Sequence, residues 1–286
     1  MLTVVGFLAV AYFAICTSAM LWQNRLIFFP SPVITATPDQ LGLAYEEVWL
    51  PVRARFGKVE RIHGWWLPAV SEATGVLLYL HGNGENISAN LGKAQVFHQL
   101  GFSVLMIDYR GYGRSEGNFP SEARVYQDVQ VAGDYLLKQR GIFPQDIFVY
   151  GHSLGGAIAI DLAVRNPEFA GLIVECSFTS MLDMAKLQGK YGFLPLNLLL
   201  TQRFDSISKV TKLEMPLLLI HGSNDQVVPA QMSQALFNQA NEPKQLWLVP
   251  GADHVNVATV ASLEYQQKIQ EFVEQVREWA LEIKLN

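Results

Sequence analysis

The chain has 286 residues, half of them hydrophobic and 16% charged, which suits one large domain and excludes a disordered chain. A net charge of −5 leaves no basic footprint for nucleic acid. Cys16 lies in an apolar run and Cys176 follows an expected strand, so neither a disulfide nor a metal-binding spacing is read.

Residues 2–22 carry no charged side chain. At about 1.5 Å per residue, a helix of that length crosses a hydrocarbon core of about 30 Å. Residues 1–24 therefore read as a transmembrane anchor. The alternative is a cleaved signal peptide, for which Thr17-Ser18-Ala19 offers a cleavage-like site, although no basic stretch precedes the apolar run. Trp22, Arg25, Phe28 and Phe29 suit a headgroup layer, where aromatic rings and a snorkelling cation meet. Arg25 follows the span, which favours a cytoplasmic main domain. Pro30, Pro32 and Pro38 mark residues 25–44 as a stiff, non-helical linker to a globular part at 45–286.

Residues 45–52 and 62–68 read as a strand hairpin. Residues 75–80 are continuously apolar, as in a strand buried on both faces, and end in the polar loop His81-Gly82-Asn83-Gly84-Glu85-Asn86. Ser88 caps an expected helix through Leu100. A strand at 103–108 runs into the loop Tyr109-Arg110-Gly111-Tyr112-Gly113-Arg114-Ser115-Glu116-Gly117, and residues 121–140 form an amphipathic helix. The strand at 147–150 turns through Gly151-His152-Ser153-Leu154-Gly155 into a helix that Asn166-Pro167 ends. Strands at 171–175, 216–220 and 245–249 and a helix at 259–283 complete the pattern. Such alternation implies a mostly parallel α/β sheet with helices on both faces, whose ligands bind at the carboxyl ends of strands. The rhythm breaks between 180 and 209. That stretch reads either as an ordinary packed insert or as a short cap lining an acyl pocket over Ser153, and charges at Leu198 and Leu199 separate the two.

A G-x-S-x-G run between a strand and a helix holds its serine on a strained elbow. The hydroxyl then needs a base, and the base needs a carboxylate to orient it. His63 and His98 sit on a hairpin and a helix face, His81 and His221 end strands and brace loops, and His152 lies inside the elbow. His254, in the loop Pro250-Gly251-Ala252-Asp253-His254 after the last strand, remains as general base. Asp225 lies between nucleophile and base, as the order Ser, Asp, His requires. Asp183 and Asp205 fall in the insert and read as solvated or capping, and Asp253 adjoins the base too closely to orient it. Backbone N–H groups of Leu154 and Asn83 are the candidate oxyanion donors.

His81-Gly82-Asn83-Gly84, the Asp108–Ser115 loop, Gly151–Gly155, His221-Gly222-Ser223-Asn224-Asp225 and Gly251-Ala252-Asp253-His254 occur in the order found in serine hydrolases of the alpha/beta-hydrolase fold, which the chain resembles from about Tyr45 onward. The anchor followed by Arg25-Leu26-Ile27-Phe28-Phe29-Pro30 further resembles a membrane-anchored branch that includes protein depalmitoylases. The resemblance implies cleavage of an ester or thioester through an acyl-enzyme, without a cofactor. The expected partners are a small-molecule or lipid-acyl substrate and, through the N-terminal helix, a membrane. An aminopeptidase of the same fold, with Glu85 receiving a substrate amine, is the enzymatic alternative. A catalytically silent binding module is the alternative from another class.

Overall fold

Eight strands form one mixed sheet in the computed structural model, which describes residues 2–71 and 73–285. They are β1 (Glu46–Arg53), β2 (Val59–Leu67), β3 (Gly75–Leu80), β4 (Phe102–Ile107), β5 (Ile147–His152), β6 (Gly171–Glu175), β7 (Leu217–Gly222) and β8 (Lys244–Val249). Across the sheet the order is β8-β7-β6-β5-β3-β4-β2-β1. The expected hairpin is present, with Trp49 opposite His63, and β2 then pairs antiparallel with β4. All other neighbours are parallel, so β3, β5, β6, β7 and β8 end on the same edge.

Period-two alternation sorts the buried strands between two cores. In β3, Val76, Leu78 and Leu80 face one cluster, and Leu77 and Tyr79 face the other. The first cluster is closed by α3 (Glu122–Lys138) and α4 (Leu154–Arg165), through residues such as Val129 and Ile158. The second is closed by α2 (Leu91–Gln99) and by the long terminal helix α9 (Val257–Leu285), through Phe97, Tyr265 and Phe272. An eighth helix, α8 (Ala230–Gln239), joins β7 to β8.

The N-terminal helix α1 (Leu2–Ile27) extends beyond the expected span. Its most apolar 18-residue window has a mean hydropathy of 2.2 and is only 6% buried, so the helix is long and apolar enough to cross a membrane. Residues 25–44 are less of a free linker than their prolines suggest. Ile27, Phe28 and Leu43 are buried, and Phe29–Pro30 pairs in parallel with Gly84–Glu85. Proline ends the helix, but burying Ile27 and Phe28 draws the following chain onto the domain.

The insert folds as α5 (Met181–Leu187), α6 (Leu196–Leu199) and α7 (Ser206–Val210). Ser180 and Asp205 cap α5 and α7 by accepting from the Asp183 and Ser208 amides. Leu198 is 81% exposed and faces away from the domain, whereas Leu199 lines a cavity against α1. Of the two positions chosen from sequence to probe an acyl pocket, only Leu199 is placed to report on one.

Candidate active site

Ser153 sits between β5 and α4 with φ 55° and ψ −119°, a backbone region that non-glycine residues enter only under tertiary constraint. The constraint is visible. Its N–H donates to the Glu175 carbonyl at 2.9 Å, and its own carbonyl accepts from the Ser177 hydroxyl at 2.8 Å. The flanking glycines are required by close approach. A Cβ at Gly151 would lie 2.2 Å from the Gly155 carbonyl oxygen, and one at Gly155 would lie 2.2 Å from that of Leu80.

The loops after β7 and β8 bring Asp225 and His254 to this serine. His254 Nε2 is 3.1 Å from Ser153 Oγ, and His254 Nδ1 is 2.7 Å from Asp225 Oδ2. With Asp225 accepting the Nδ1 proton, the Nε2 lone pair faces the hydroxyl. The other carboxylate oxygen, Oδ1, accepts from the Val227 and Val228 amides at 2.8 Å each. Burial acts to raise the Asp225 pKa, but hydrogen bonds from His221, His254 and the Val228 amide hold it well below the ordinary carboxylate range. The group is therefore an anion at neutral pH, suited to orienting an imidazole and stabilising its protonated form.

Asn83 and Leu154 both line the cavity beside Ser153. Leu154 is the first residue of α4, so its N–H has no carbonyl one turn earlier in the helix to accept it. Asn83 is tied down at its side chain and its carbonyl: Nδ2 donates to the Ile27 carbonyl at 3.0 Å, and its backbone carbonyl accepts from Tyr112 Oη at 2.7 Å and from the Phe29 amide at 2.8 Å.

A family profile described as "Serine aminopeptidase, S33" matches residues 71–204 and 199–257. Protein bem46 of Schizosaccharomyces pombe is 35% identical over 233 residues, covering 78% of this chain and 77% of its own length. Human alpha/beta hydrolase domain-containing protein 17B is 30% identical over 226 residues, covering 77% of this chain and 74% of its own. The chain belongs to the alpha/beta-hydrolase superfamily. The Pyrococcus furiosus esterase Pf2001 shares the fold, with a TM-score of 0.70 at 21% identity over 87% of this chain and 97% of that one.

Two histidines that sequence reasoning set aside, His221 as a loop brace and His152 as lying inside the elbow, support this hydrolase's hydroxyl–imidazole–carboxylate arrangement. His221, fully buried, accepts from the Ser233 hydroxyl through Nδ1 at 2.6 Å. Its Nε2 lies 2.8 Å from the Val228 carbonyl and 3.2 Å from Asp225 Oδ2. His152 donates from Nε2 to the His254 carbonyl at 2.8 Å, which pins the loop that carries the relay's imidazole. Position alone identified His221 as a brace and gave His152 no role; the targets of both depend on contacts across the fold.

Burial, with Lys93 adding to it, lowers the His152 pKa to about 3. An unfolded histidine titrates near 6.5, so between those values the unfolded chain binds the extra proton. His152 therefore contributes stability that is complete above about pH 6.5 and is lost as pH falls toward the folded value. The expected limit is about 1.4 kcal/mol per pH unit. Unfolding of wild type and His152→Gln, compared at pH 7 and pH 5, should show the wild type losing more on acidification. Parallel losses would remove His152 as the source.

Ser153 stands where two cavities of the hydrolase meet. One, of about 370 Å³, is lined by Leu26, Ile27, Phe178, Met181, Met184 and Tyr191 among others. The second, of about 710 Å³, carries the charged side chains Glu85 and Lys93, as the first carries Lys190. Both fall within the range of about 300–1,000 Å³ usual for small-molecule sites. Two groups on either side of one reacting bond can thus be accommodated in separate spaces.

Proposed function

We propose that this chain is a membrane-anchored serine hydrolase that cleaves carboxylic esters or thioesters through an acyl-enzyme intermediate. The observation that carries the reading is the relay Ser153 Oγ, His254 Nε2, His254 Nδ1 and Asp225 Oδ2, built on a strained elbow. Ser153 Oγ attacks the carbonyl carbon as its proton passes to His254 Nε2, and the carbonyl oxygen becomes an oxyanion facing the Asn83 and Leu154 amides. Collapse of the tetrahedral intermediate expels the alkoxide or thiolate, which takes that proton. Water then attacks the acyl-serine, gives a proton to His254 and releases the acid, restoring Ser153. The protein groups suffice for both steps.

Leu26, Ile27, Phe178, Met181 and Met184 in the cavity at Ser153 support a lipophilic acyl group, and α1 supports anchoring at residues 1–24 with the catalytic domain at 45–286. Arg25, on the domain side of the span, supports a cytoplasmic domain.

The description of the matching family favours a second reading, an aminopeptidase. A substrate amine would need an acidic partner, and Glu85 is the carboxylate lining the second cavity; it is exposed, and Lys93 shares that cavity. A panel of acyl esters, acyl thioesters and aminoacyl amides separates the two. Esters and thioesters should turn over at least a hundredfold faster than aminoacyl amides, and the reverse order would replace the esterase reading. A fluorophosphonate should label Ser153 in the full-length protein; absence of labelling favours a silent binding module.

A further inference from the structure

The cavity beside Ser153 does not end at the insert. A second cavity shares Leu26, Ile27, Met181 and Met184 with it and continues along α1 to Gln23 and Ala19. A third opening shares Ala19, Tyr191 and Leu194 with the second and reaches Ala14 and Ile15. From Ile27 to Ala14 the path follows α1 for about 20 Å, at a rise of about 1.5 Å per residue. One wall is α1, and the other is the insert.

The insert is fastened to that helix rather than resting on it. Gln23, only 7% exposed, accepts from the Thr201 and Gln202 amides at 2.8 and 3.1 Å, and its Nε2 lies 3.4 Å from the Leu199 carbonyl. Eleven residues nearer the N-terminus, Tyr12 Oη donates to the Phe193 carbonyl at 2.9 Å. The insert therefore runs beside the apolar helix at the level of Tyr12 to Gln23. Phe193 and Leu198 on the insert, and Phe13 and Leu21 on α1, are all more than 60% exposed. The outer surface around the path is thus apolar on both elements.

We propose that α1 is itself part of the substrate site: the acyl chain of a bilayer-resident ester or thioester lies between α1 and the insert, with its carbonyl at Ser153. This rests on the serine-hydrolase reading above. The chain enters sideways from lipid near Ala14 and Ala19, so the substrate's acyl part never crosses water. The same segment also shapes the reacting end. Ile27 accepts from Asn83 Nδ2, and Phe29–Pro30 pairs with Gly84–Glu85, so the helix that meets the acyl chain also holds the oxyanion loop.

The test uses full-length protein in lipid nanodiscs and a hexadecyl fluorophosphonate carrying a photoreactive diazirine at the end of its chain. The phosphorus becomes bonded to Ser153 Oγ with loss of fluoride, and illumination then marks whatever the chain end touches. Crosslinks in residues 14–19 or 190–194 are expected. A labelled Ser153 with crosslinks confined to the cavity of Lys93 and Glu85 overturns the proposal while leaving the serine-hydrolase reading intact. An unlabelled Ser153 overturns that reading, and this proposal with it. In parallel, Ala19→Trp should lower the ratio of hexadecanoyl to butanoyl ester turnover at least tenfold. Val10→Trp, which changes an outward-facing residue 70% exposed, should keep the wild-type ratio. An unchanged ratio in Ala19→Trp also overturns the proposal.

Discussion

Replacing Ser153 by alanine is expected to lower ester turnover by at least about 10⁴-fold, a loss of about 5.5 kcal/mol of transition-state stabilisation. The expectation follows from geometry. His254 Nε2 is 3.1 Å from Ser153 Oγ, and Asp225 fixes the tautomer from the other side of the ring at 2.7 Å. Without the hydroxyl, the imidazole has no proton to take and the acyl group has no covalent site. His254→Ala should cost a similar amount, because the hydroxyl alone is a poor nucleophile. The double variant should be little worse than either single one, since the two groups act as a unit. Single-turnover kinetics with a butanoyl ester provide the measurement. Turnover of Ser153→Ala within tenfold of wild type would falsify the assignment of the nucleophile.

Lys93→Met is expected to be the most destabilising surface-accessible change, at about 3–5 kcal/mol. Glu175 is fully buried at the end of β6, and Lys93, with 14% side-chain exposure, is its cationic partner. Tyr265 Oη donates to the second carboxylate oxygen at 2.7 Å. Removing the cation leaves a buried anion with one neutral donor, and the cost of that unpaired charge exceeds the worth of the original pair. Burial pushes the Glu175 pKa up, but Lys93 and the hydrogen bonds hold it below its ordinary value. Its stabilisation is therefore present above about pH 4.3, the unfolded value, and is lost as pH falls through the folded one. In Lys93→Met, burial prevails and Glu175 takes up a proton at higher pH, so the deficit against wild type should shrink between pH 7 and pH 4. Lys93→Met/Glu175→Gln should recover most of the loss. Denaturation in detergent micelles reads both effects, and a double variant as unstable as the single one would show that the charge is not the cause.

The consequence reaches the site. The Glu175 carbonyl accepts the Ser153 N–H, and Cys176, the next residue, adopts φ 51° as the chain leaves the sheet. The ion pair thus steadies the backbone against which the elbow is strained.

Much of this fold is legible in local pattern. The continuous apolar run of β3 predicts a strand buried on both faces, and it divides its side chains between the two cores. Gly151 and Gly155 mark the elbow because side chains there would meet backbone at 2.2 Å. Ser153, Asp225 and His254 are recognisable from motif, order and position after strands, and the fold brings Ser153 and Asp225 within hydrogen-bond distance of opposite nitrogens of His254. These features rest on short-range periodicity and turn chemistry, which a few neighbouring residues encode.

What only the tertiary structure decided lies in pairs far apart in the chain. Lys93 meets Glu175 across 82 positions, and Gln23 meets Thr201 across 178. Neither residue carries a local mark of its partner, because a lone lysine or glutamine in sequence is equally suited to solvent. The same holds for residues 25–44, where prolines signal a stiff linker but the burial of Ile27 and Phe28 makes it a wall of the site. Local chemistry determined which residues form the elbow and its relay. Long-range packing decided that the apolar N-terminal helix stands beside them.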